Sequence, residues 1–355
     1  MPPPPLQIHP PLLNSACPWA TTPEQLRALL ECPSTGAVTV RTSLLQGFDH
    51  QPSRHRFTFF DPATTESSPG GTQSLPDHDG LSASSPSGPE HDMHQQYTAS
   101  LNNLGYSPIT LEEYLDILRD LAAEYPPHLH HKTVILSVTG SSDDVRACYD
   151  TIASRVDDIP FPLAMEVNLS CPNIPGAPPV AYDTAALSGY LAVLPRGPAI
   201  PVGIKTPPYT HAGQYESFIS ALRDADAGER LSFITATNTL GSCVVLGGDA
   251  QGAAEPVLPG GGAGVGGMAG PPLHPLALGN VATIRKLLGD AAAGGDANGH
   301  RLGQISIIGV GGVGDERGYR RMRAVGAAAV GLATALGREG PGVFSRIEKA
   351  IGSAW

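Results

Sequence analysis

The chain has 355 residues, 41% of them hydrophobic, enough for one large α/β barrel or two smaller domains. A formal net charge of −11 with no Lys/Arg block excludes a nucleic-acid groove and a polybasic membrane patch. Cys17, Cys32, Cys148, Cys171 and Cys243 are widely spaced without a C-x-x-C pair, so neither a disulfide framework nor a zinc site is expected.

Short apolar strands alternate with helical patterns along the whole chain, as in the βα units of a parallel sheet. The expected strands are Pro11–Leu13, Ala37–Val40, Thr133–Val138, Ala164–Asn168, Pro201–Ile204, Ser232–Thr235, Gln304–Gly309 and Ala328–Leu332. Helical patterns fall at Pro23–Leu30, Leu111–Glu124, Ser142–Val156, Ala185–Leu194, Tyr215–Ala225, Pro275–Leu288 and Glu316–Val325. Eight strands with helical patterns between them predict an α/β fold, a (β/α)8 TIM barrel forming one domain over residues 1–355. A doubly wound sheet would place a glycine fingerprint after its first strand, whereas Pro10–Thr22 contains no glycine.

Residues 61–92 are almost all Ser, Pro, Gly, Asp, Thr and His and cannot bury much apolar surface, so they predict a disordered insertion after the second strand. Asp290–His300 predicts a second flexible loop, while the Gly-rich run Pro259–Gly270 leads directly into a helix. The proline-rich start carries no basic apolar signal, and no run approaches the ~20 apolar residues of a membrane span, which predicts a soluble cytoplasmic protein.

A barrel carries its chemistry at the carboxyl ends of its strands. Those positions hold Asn14, Arg41, Thr139, Asn168, Lys205, Asn238, Gly311-Gly312 and Thr334. Any one of them is more simply a cap or a turn; their convergence on one face points to a site. In the segment Met165–Gly176, Asn168 and Asn173 flank Cys171, and Cys171 stands next to Pro172. Two amides can read a planar polar ring, and a thiolate can remove a proton from it. The glycine turn Gly309–Gly314, the small-residue turn Gly331–Leu336 and the upstream Gly266, Gly267 and Gly270 suit a phosphate held by backbone N–H groups. Lys205 at a strand end is either an exposed lysine or a cation that needs an anionic partner such as a reduced flavin.

Glu166-Val167-Asn168-Leu169-Ser170-Cys171-Pro172-Asn173-Ile174-Pro175-Gly176 resembles the signature of class 1 dihydroorotate dehydrogenases, and of the cytosolic class 1A, fumarate-type enzymes in particular. Ala181-Tyr182-Asp183 belongs with that subclass, and Gly203-Ile204-Lys205-Thr206-Pro207-Pro208-Tyr209 is similar to its Gly-Val-Lys-Leu-Pro-Pro-Tyr segment. Ile307–Gly312, Thr334-Ala335-Leu336 and Glu339-Gly340-Pro341 match its closing units, and the likeness covers nearly the whole chain outside residues 48–97.

The resemblance implies an FMN-dependent barrel that oxidises dihydroorotate to orotate in pyrimidine synthesis, forms a homodimer and passes electrons to fumarate. It implies Cys171 as the base and Lys205 as the lysine beside the flavin. Asn102, Leu104, Gly105, Asn168, Asn173, Asn238 and Thr239 would hold the substrate. Ser15, Ala16, Arg41, Thr42, Asn168, Lys205, Thr237, Gly267, Gly270, Gly311, Gly312, Ala333 and Thr334 would hold FMN, with no metal. The membrane-bound class carries serine as its base, unlike Cys171; Gly267-Met268-Ala269-Gly270-Pro271 is closer to the loop of the heterotetrameric, iron–sulfur class.

Several positions depart from the family pattern. Asn14-Ser15-Ala16-Cys17 replaces Asn-Ala-Ser-Gly, Arg41-Thr42 replaces Lys-Ser, and Gln46–Phe60 replaces a segment with Gly-Asn-Pro and Pro-Arg elements. Thr235–Thr239 keeps only the second Asn/hydroxyl pair of Val-Asn-Ser-x-Asn-Ser. These changes keep open a flavin enzyme acting on another dihydropyrimidine and a non-catalytic FMN-barrel paralogue.

Overall fold

The computed structural model describes residues 2–75, 96–125, 130–170, 179–248, 254–259, 263–294, 297–352 and 355. The early helices start where the chain supplies its own caps. In α1 (Pro23–Glu31), Thr22 accepts from the Gln25 N–H while the Gln25 side chain returns to the cap, and proline opens the helix. The next helices, α2 (Leu111–Glu124) and α3 (Ser142–Ser154), repeat this reciprocal cap with Thr110/Glu113 and Ser141/Asp144. Each turns a leucine- or valine-bearing face onto the barrel.

Eight parallel strands close into a barrel: β1 (Leu12–Asn14), β2 (Ala37–Thr39), β5 (Thr133–Val138), β6 (Leu163–Asn168), β7 (Val202–Thr206), β8 (Phe233–Ala236), β13 (Ser306–Val310) and β14 (Ala329–Leu332). The eight expected strands are all present, with ends shifted by one or two residues. Inside the barrel, Leu13, Ala37, Ile135, Ala164, Phe233, Ile308, Val310 and Ala329 form the apolar plug. Gly203 makes room for it: a Cβ there would lie 2.4 Å from the Phe233 ring. Because strand side chains alternate, Ser137, Glu166 and Thr235, all buried, form a polar layer above this plug. The register pairs Asn168 with Lys205, so these two side chains share one level near the carboxyl mouth.

Over the mouth sits a second sheet that the strand pattern did not predict. It contains β3 (Phe57–Phe60), β4 (Ala99–Asn102), β9 (Leu240–Cys243) and β12 (Gly266–Ala269), antiparallel in the order β3-β4-β12-β9. A hairpin of β10 (Leu246–Gly248) and β11 (Ala254–Pro256) extends from it. The Gly-rich run is therefore partly a strand: Gly267 pairs with Asn102, and Met268 with Leu101. Short strands of Gly, Ser, Ala and Thr lack the alternation that makes strands legible, and their pairing partners lie far away in sequence.

The low-complexity insertion lies in the β3–β4 connection, after the second barrel strand as expected. Residues 61–75 fold back on β3: Ser68 N–H donates to the Phe59 carbonyl at 2.9 Å, and Gln73 N–H to the Phe57 carbonyl at 2.7 Å. The rest of the expected disordered stretch, from residue 76, lies outside the described residues. The patch Asp290–His300, expected to be a loop, is mainly helical. After α4 (Thr184–Val193) and α5 (Ala212–Asp224), the long helix α6 (His274–Ala293) runs into it and α7 (Ala297–Leu302) follows, because Leu288, Ala291 and Leu302 are fully buried.

Lys132, just before β5, is buried and donates to the Leu29 carbonyl (3.2 Å), the Cys32 carbonyl and Thr35 Oγ1 (3.0 Å), tying off the carboxyl end of α1. Burial pushes its ammonium down to about 8. Between about 8 and the ordinary lysine value the unfolded chain binds the extra proton, so this group makes stability rise with pH over that window. Lys132→Met should lose about 1–3 kcal/mol near pH 7 by orphaning these acceptors. Urea unfolding at about pH 7 and pH 9.5 should also show that the variant lacks the wild-type gain at the higher pH.

Candidate active site

A cleft lies between the barrel mouth and the covering sheet. Asn168, Lys205, Asn238 and Thr239 line it from the strand ends, and Asn102, Leu104 and Gly105 from the covering sheet. Ala16, Arg41, Thr42, Ala333 and Thr334 complete the predicted set that reaches it. Two cations and three asparagines face it, while among the described residues no Asp or Glu lines it. Such a wall favours an anionic ligand.

The cations are almost fully buried, Lys205 and Arg41 each 4% exposed. Lys205 Nζ donates to Ser15 Oγ at 3.0 Å, and among the described residues no carboxylate lies within salt-bridge distance of it. Arg41 follows β2 and reaches under the covering sheet, where its Nη2 donates to the Leu104 and Gly105 carbonyls at 3.3 Å each. Gly105 has φ +65°, and a Cβ there would lie 2.5 Å from the Phe48 ring, so glycine is required. Arg41 thus ties the barrel mouth to the loop that follows Asn102.

The amides are mutually braced. Asn168 Nδ2 donates to Thr42 Oγ1 at 3.0 Å, and its Oδ1 accepts from Ser170 Oγ at 2.9 Å and from Asn238 Nδ2 at 3.3 Å. Asn238 also donates to Ser170 Oγ (3.0 Å) and accepts from the Thr239 N–H (2.8 Å). Asn102 donates to the Gly267 carbonyl at 3.2 Å. Thr237 Oγ1 donates to the Asn238 carbonyl, so it shapes the turn beside the cleft and is not among the lining residues.

Other predicted residues stand behind the wall. Gly267, Gly270, Gly311 and Gly312 are not among the lining residues. A Cβ on Gly312 (φ +69°) would lie 2.6 Å from the Gly270 carbonyl oxygen, and one on Gly311 would lie 2.5 Å from Ala277 Cβ. Their lack of side chains is therefore already required by packing between the β12 end, α6 and the loop after β13. Asn14 is wholly buried and locks β1 to β2 through Thr39, donating to its carbonyl (2.6 Å) and accepting from its N–H (3.1 Å). Cys171 and Asn173 lie outside the described residues.

Cys17, where the family pattern has glycine, lines the cleft at an ordinary backbone conformation. Burial pushes its thiol up to about 11, so it is a neutral part of the wall at pH 7. Sequence reasoning missed Ser170, which braces two asparagines; Ser100, whose hydroxyl meets Thr334 Oγ1 at 2.9 Å; and the cleft-lining Trp19 and Tyr106. Ser170 stood inside the Cys171 motif, whereas Ser100 belongs to the strand that the pattern did not reveal. Trp19 stacks on Phe59 with centroids 5.9 Å apart and meets Phe57 edge-on at 5.6 Å, contacts made across the missed sheet.

A closed parallel barrel whose carboxyl mouth holds a cationic, amide-lined cleft has the architecture of a TIM-barrel enzyme, with its site where such enzymes carry their chemistry. The family model described as dihydroorotate dehydrogenase matches residues 87–354. A dihydroorotate dehydrogenase A (fumarate) of Streptococcus pyogenes serotype M5 is 31% identical over 266 residues, 75% of this chain and 76% of that protein. The dihydroorotate dehydrogenase (fumarate) of Trypanosoma cruzi is 30% identical over 253 residues, 71% of this chain and 72% of that protein. In fold, the chain is similar to a DHODH of Eimeria tenella crystallised with ferulenol, with TM-score 0.63 and 16% identity over 96% of this chain and 79% of that one. The chain belongs to the dihydroorotate dehydrogenase family, with the fumarate type among its relatives, and is an oxidoreductase acting on a CH–CH group. The family match starts at residue 87, so it is narrower than the likeness expected from the sequence: the first two barrel strands fall outside it.

Removing the Arg41 fork should cost both the loop tie and one of the two cations. Arg41→Met should weaken orotate binding about tenfold or more in titration calorimetry, since hydrogen bonds from a charged group are worth about 1.5–3 kcal/mol. Arg41→Lys, which keeps the charge, should lose less.

Proposed function

We propose that the chain binds FMN and converts dihydroorotate to orotate in de novo pyrimidine biosynthesis, with Cys171 as base and fumarate as electron acceptor. The observation that carries this reading is the cleft wall, where Lys205 and Arg41 are buried beside Asn102, Asn168 and Asn238 with no carboxylate among the lining residues. The residues present suit the cofactor on charge and donor type. Lys205, Ser15, Arg41, Thr42 and Thr334 supply cations and hydroxyls for a flavin with a phosphate tail, with Ala16, Ala333 and the glycines Gly267, Gly270, Gly311 and Gly312 beside them. FMN, when bound, supplies a hydride acceptor.

Within this proposal Asn102, Asn168, Asn173 and Asn238 hold the edges of the dihydropyrimidine ring, joined by Thr239 and the Leu104-Gly105 backbone. Cys171, the next residue after the buried Ser170, takes a ring proton onto Sγ as the ring C=C bond forms. Lys205 and Arg41 offset negative charge on the ligands, and the covering sheet limits water access. Fumarate enters because the relatives' names specify it. The homodimer and a cytoplasmic location follow from the class 1A resemblance. Among the described residues no helix is long and apolar enough to cross a membrane. Arg41 in place of the family's lysine favours, as a second reading, a related dihydropyrimidine substrate, which turnover of dihydroorotate against dihydrouracil separates.

Orotate formation with fumarate as acceptor tests the proposal. Wild-type protein should turn over, and Cys171→Ser should slow the reductive step by about 10²–10⁴-fold, the span of general-base catalysis. An unaffected rate in the variant would remove Cys171 from the role of base.

A further inference from the structure

Below the cleft a row of hydrogen bonds links a buried carboxylate to the asparagines. Glu166 lies two residues before Asn168 on β6, inside the barrel and 2% exposed. Its Oε1 accepts from Ser137 Oγ at 2.9 Å and its Oε2 from Thr235 Oγ1 at 2.6 Å. Ser137 Oγ lies 2.9 Å from Thr42 Oγ1, which in turn receives Asn168 Nδ2 at 3.0 Å.

The direction of this row follows from proton counting. A carboxylate only accepts, so Ser137 must spend its one hydroxyl proton on Glu166. The Ser137 oxygen then has to accept from Thr42, which spends the Thr42 proton. Thr42 can only accept from its other neighbour, so the Asn168 group facing it must be the NH2. Asn168 Oδ1 is thereby turned the other way, where it accepts from Ser170 Oγ, from the Ser170 backbone N–H at 3.3 Å and from Asn238, whose own polarity is set by the Thr239 N–H. Asn168 lines the cleft and has a second amide hydrogen, which suits a carbonyl oxygen of a bound ring.

We propose that Glu166 is a positioning residue: acting through Ser137 and Thr42, its charge sets which end of the Asn168 amide faces the ligand. This role deepens the dihydroorotate reading and rests on it. Without the charge, or with the row cut, Thr42 is released to donate to Asn168. The amide then keeps only its Ser170 and Asn238 contacts to hold this polarity, and a flip that presents oxygen to ligand oxygen becomes easier.

The two hydroxyls on Glu166 provide an internal control. Ser137→Ala and Thr235→Val each remove one hydrogen bond to the same buried carboxylate, but only Ser137→Ala severs the row to Asn168. Both should lower the melting temperature by similar amounts. Titration calorimetry with orotate should show Ser137→Ala binding about tenfold more weakly and Thr235→Val within about twofold of wild type. Glu166→Gln, whose amide permits either direction, should behave like Ser137→Ala. In ligand-free protein the Asn168 side-chain 15N–1H signals should shift in Ser137→Ala and stay in place in Thr235→Val. Equal effects of the two variants, on the Asn168 signals or on orotate affinity, would overturn the proposal even if the wild type binds orotate. Wild-type protein that does not bind orotate would instead overturn the dihydroorotate reading, and with it the role toward that ligand.

Discussion

Burying two cations in a wall whose described lining residues include no carboxylate is the condition on which the site depends. Desolvating an ammonium and a guanidinium is costly unless something returns the lost interaction. The protein returns part of it through neutral oxygens, Ser15 Oγ for Lys205 and the Leu104 and Gly105 carbonyls for Arg41. For Lys205, an anion in the cleft would complete the compensation. The fold makes the arrangement possible because barrel strands deliver their terminal side chains to one mouth, and the register brings Asn168 level with Lys205.

The covering sheet turns that open mouth into a cleft. It brings Asn102, Leu104 and Gly105 from a segment far from the strand ends in sequence, and Arg41 fastens them down. Support for this lid is itself packing: Gly266 faces the Asn102 carbonyl, where a Cβ would lie 2.6 Å away, and Trp19 stacks on Phe59 and meets Phe57 edge-on. The glycines that read as a phosphate loop thus also satisfy a close backbone approach, and both demands select the same residue type.

The eight barrel strands and the amides at their ends were legible in the sequence because β-branched runs ending in Asn, Lys or Arg mark parallel strands and their mouths. Asn168, Lys205 and Asn238 stood out for that reason. The covering sheet was not legible, since Ala99–Asn102 and Gly266–Ala269 lack alternation and pair only across long separations. Nor was the helix over Ala297–Leu302, whose glycine- and alanine-rich approach hides the buried Leu302. Glu166 and Ser137 were visible as letters but not as a unit, because their meaning lies in a hydrogen-bond direction that only three-dimensional adjacency defines. Where the chain departs from its family, at Cys17 and Arg41, the barrel closes regardless: β1 pairs with both β14 and β2.

The central claim, a flavin and a dihydroorotate ring held together in this cleft, is tested most directly by the visible absorbance of the purified protein under anaerobic conditions. Yellow protein that is bleached by dihydroorotate and not by dihydrouracil, which lacks the carboxylate, is the predicted result. Colourless protein that takes up no FMN, or a bound flavin that dihydroorotate leaves oxidised, would contradict the account.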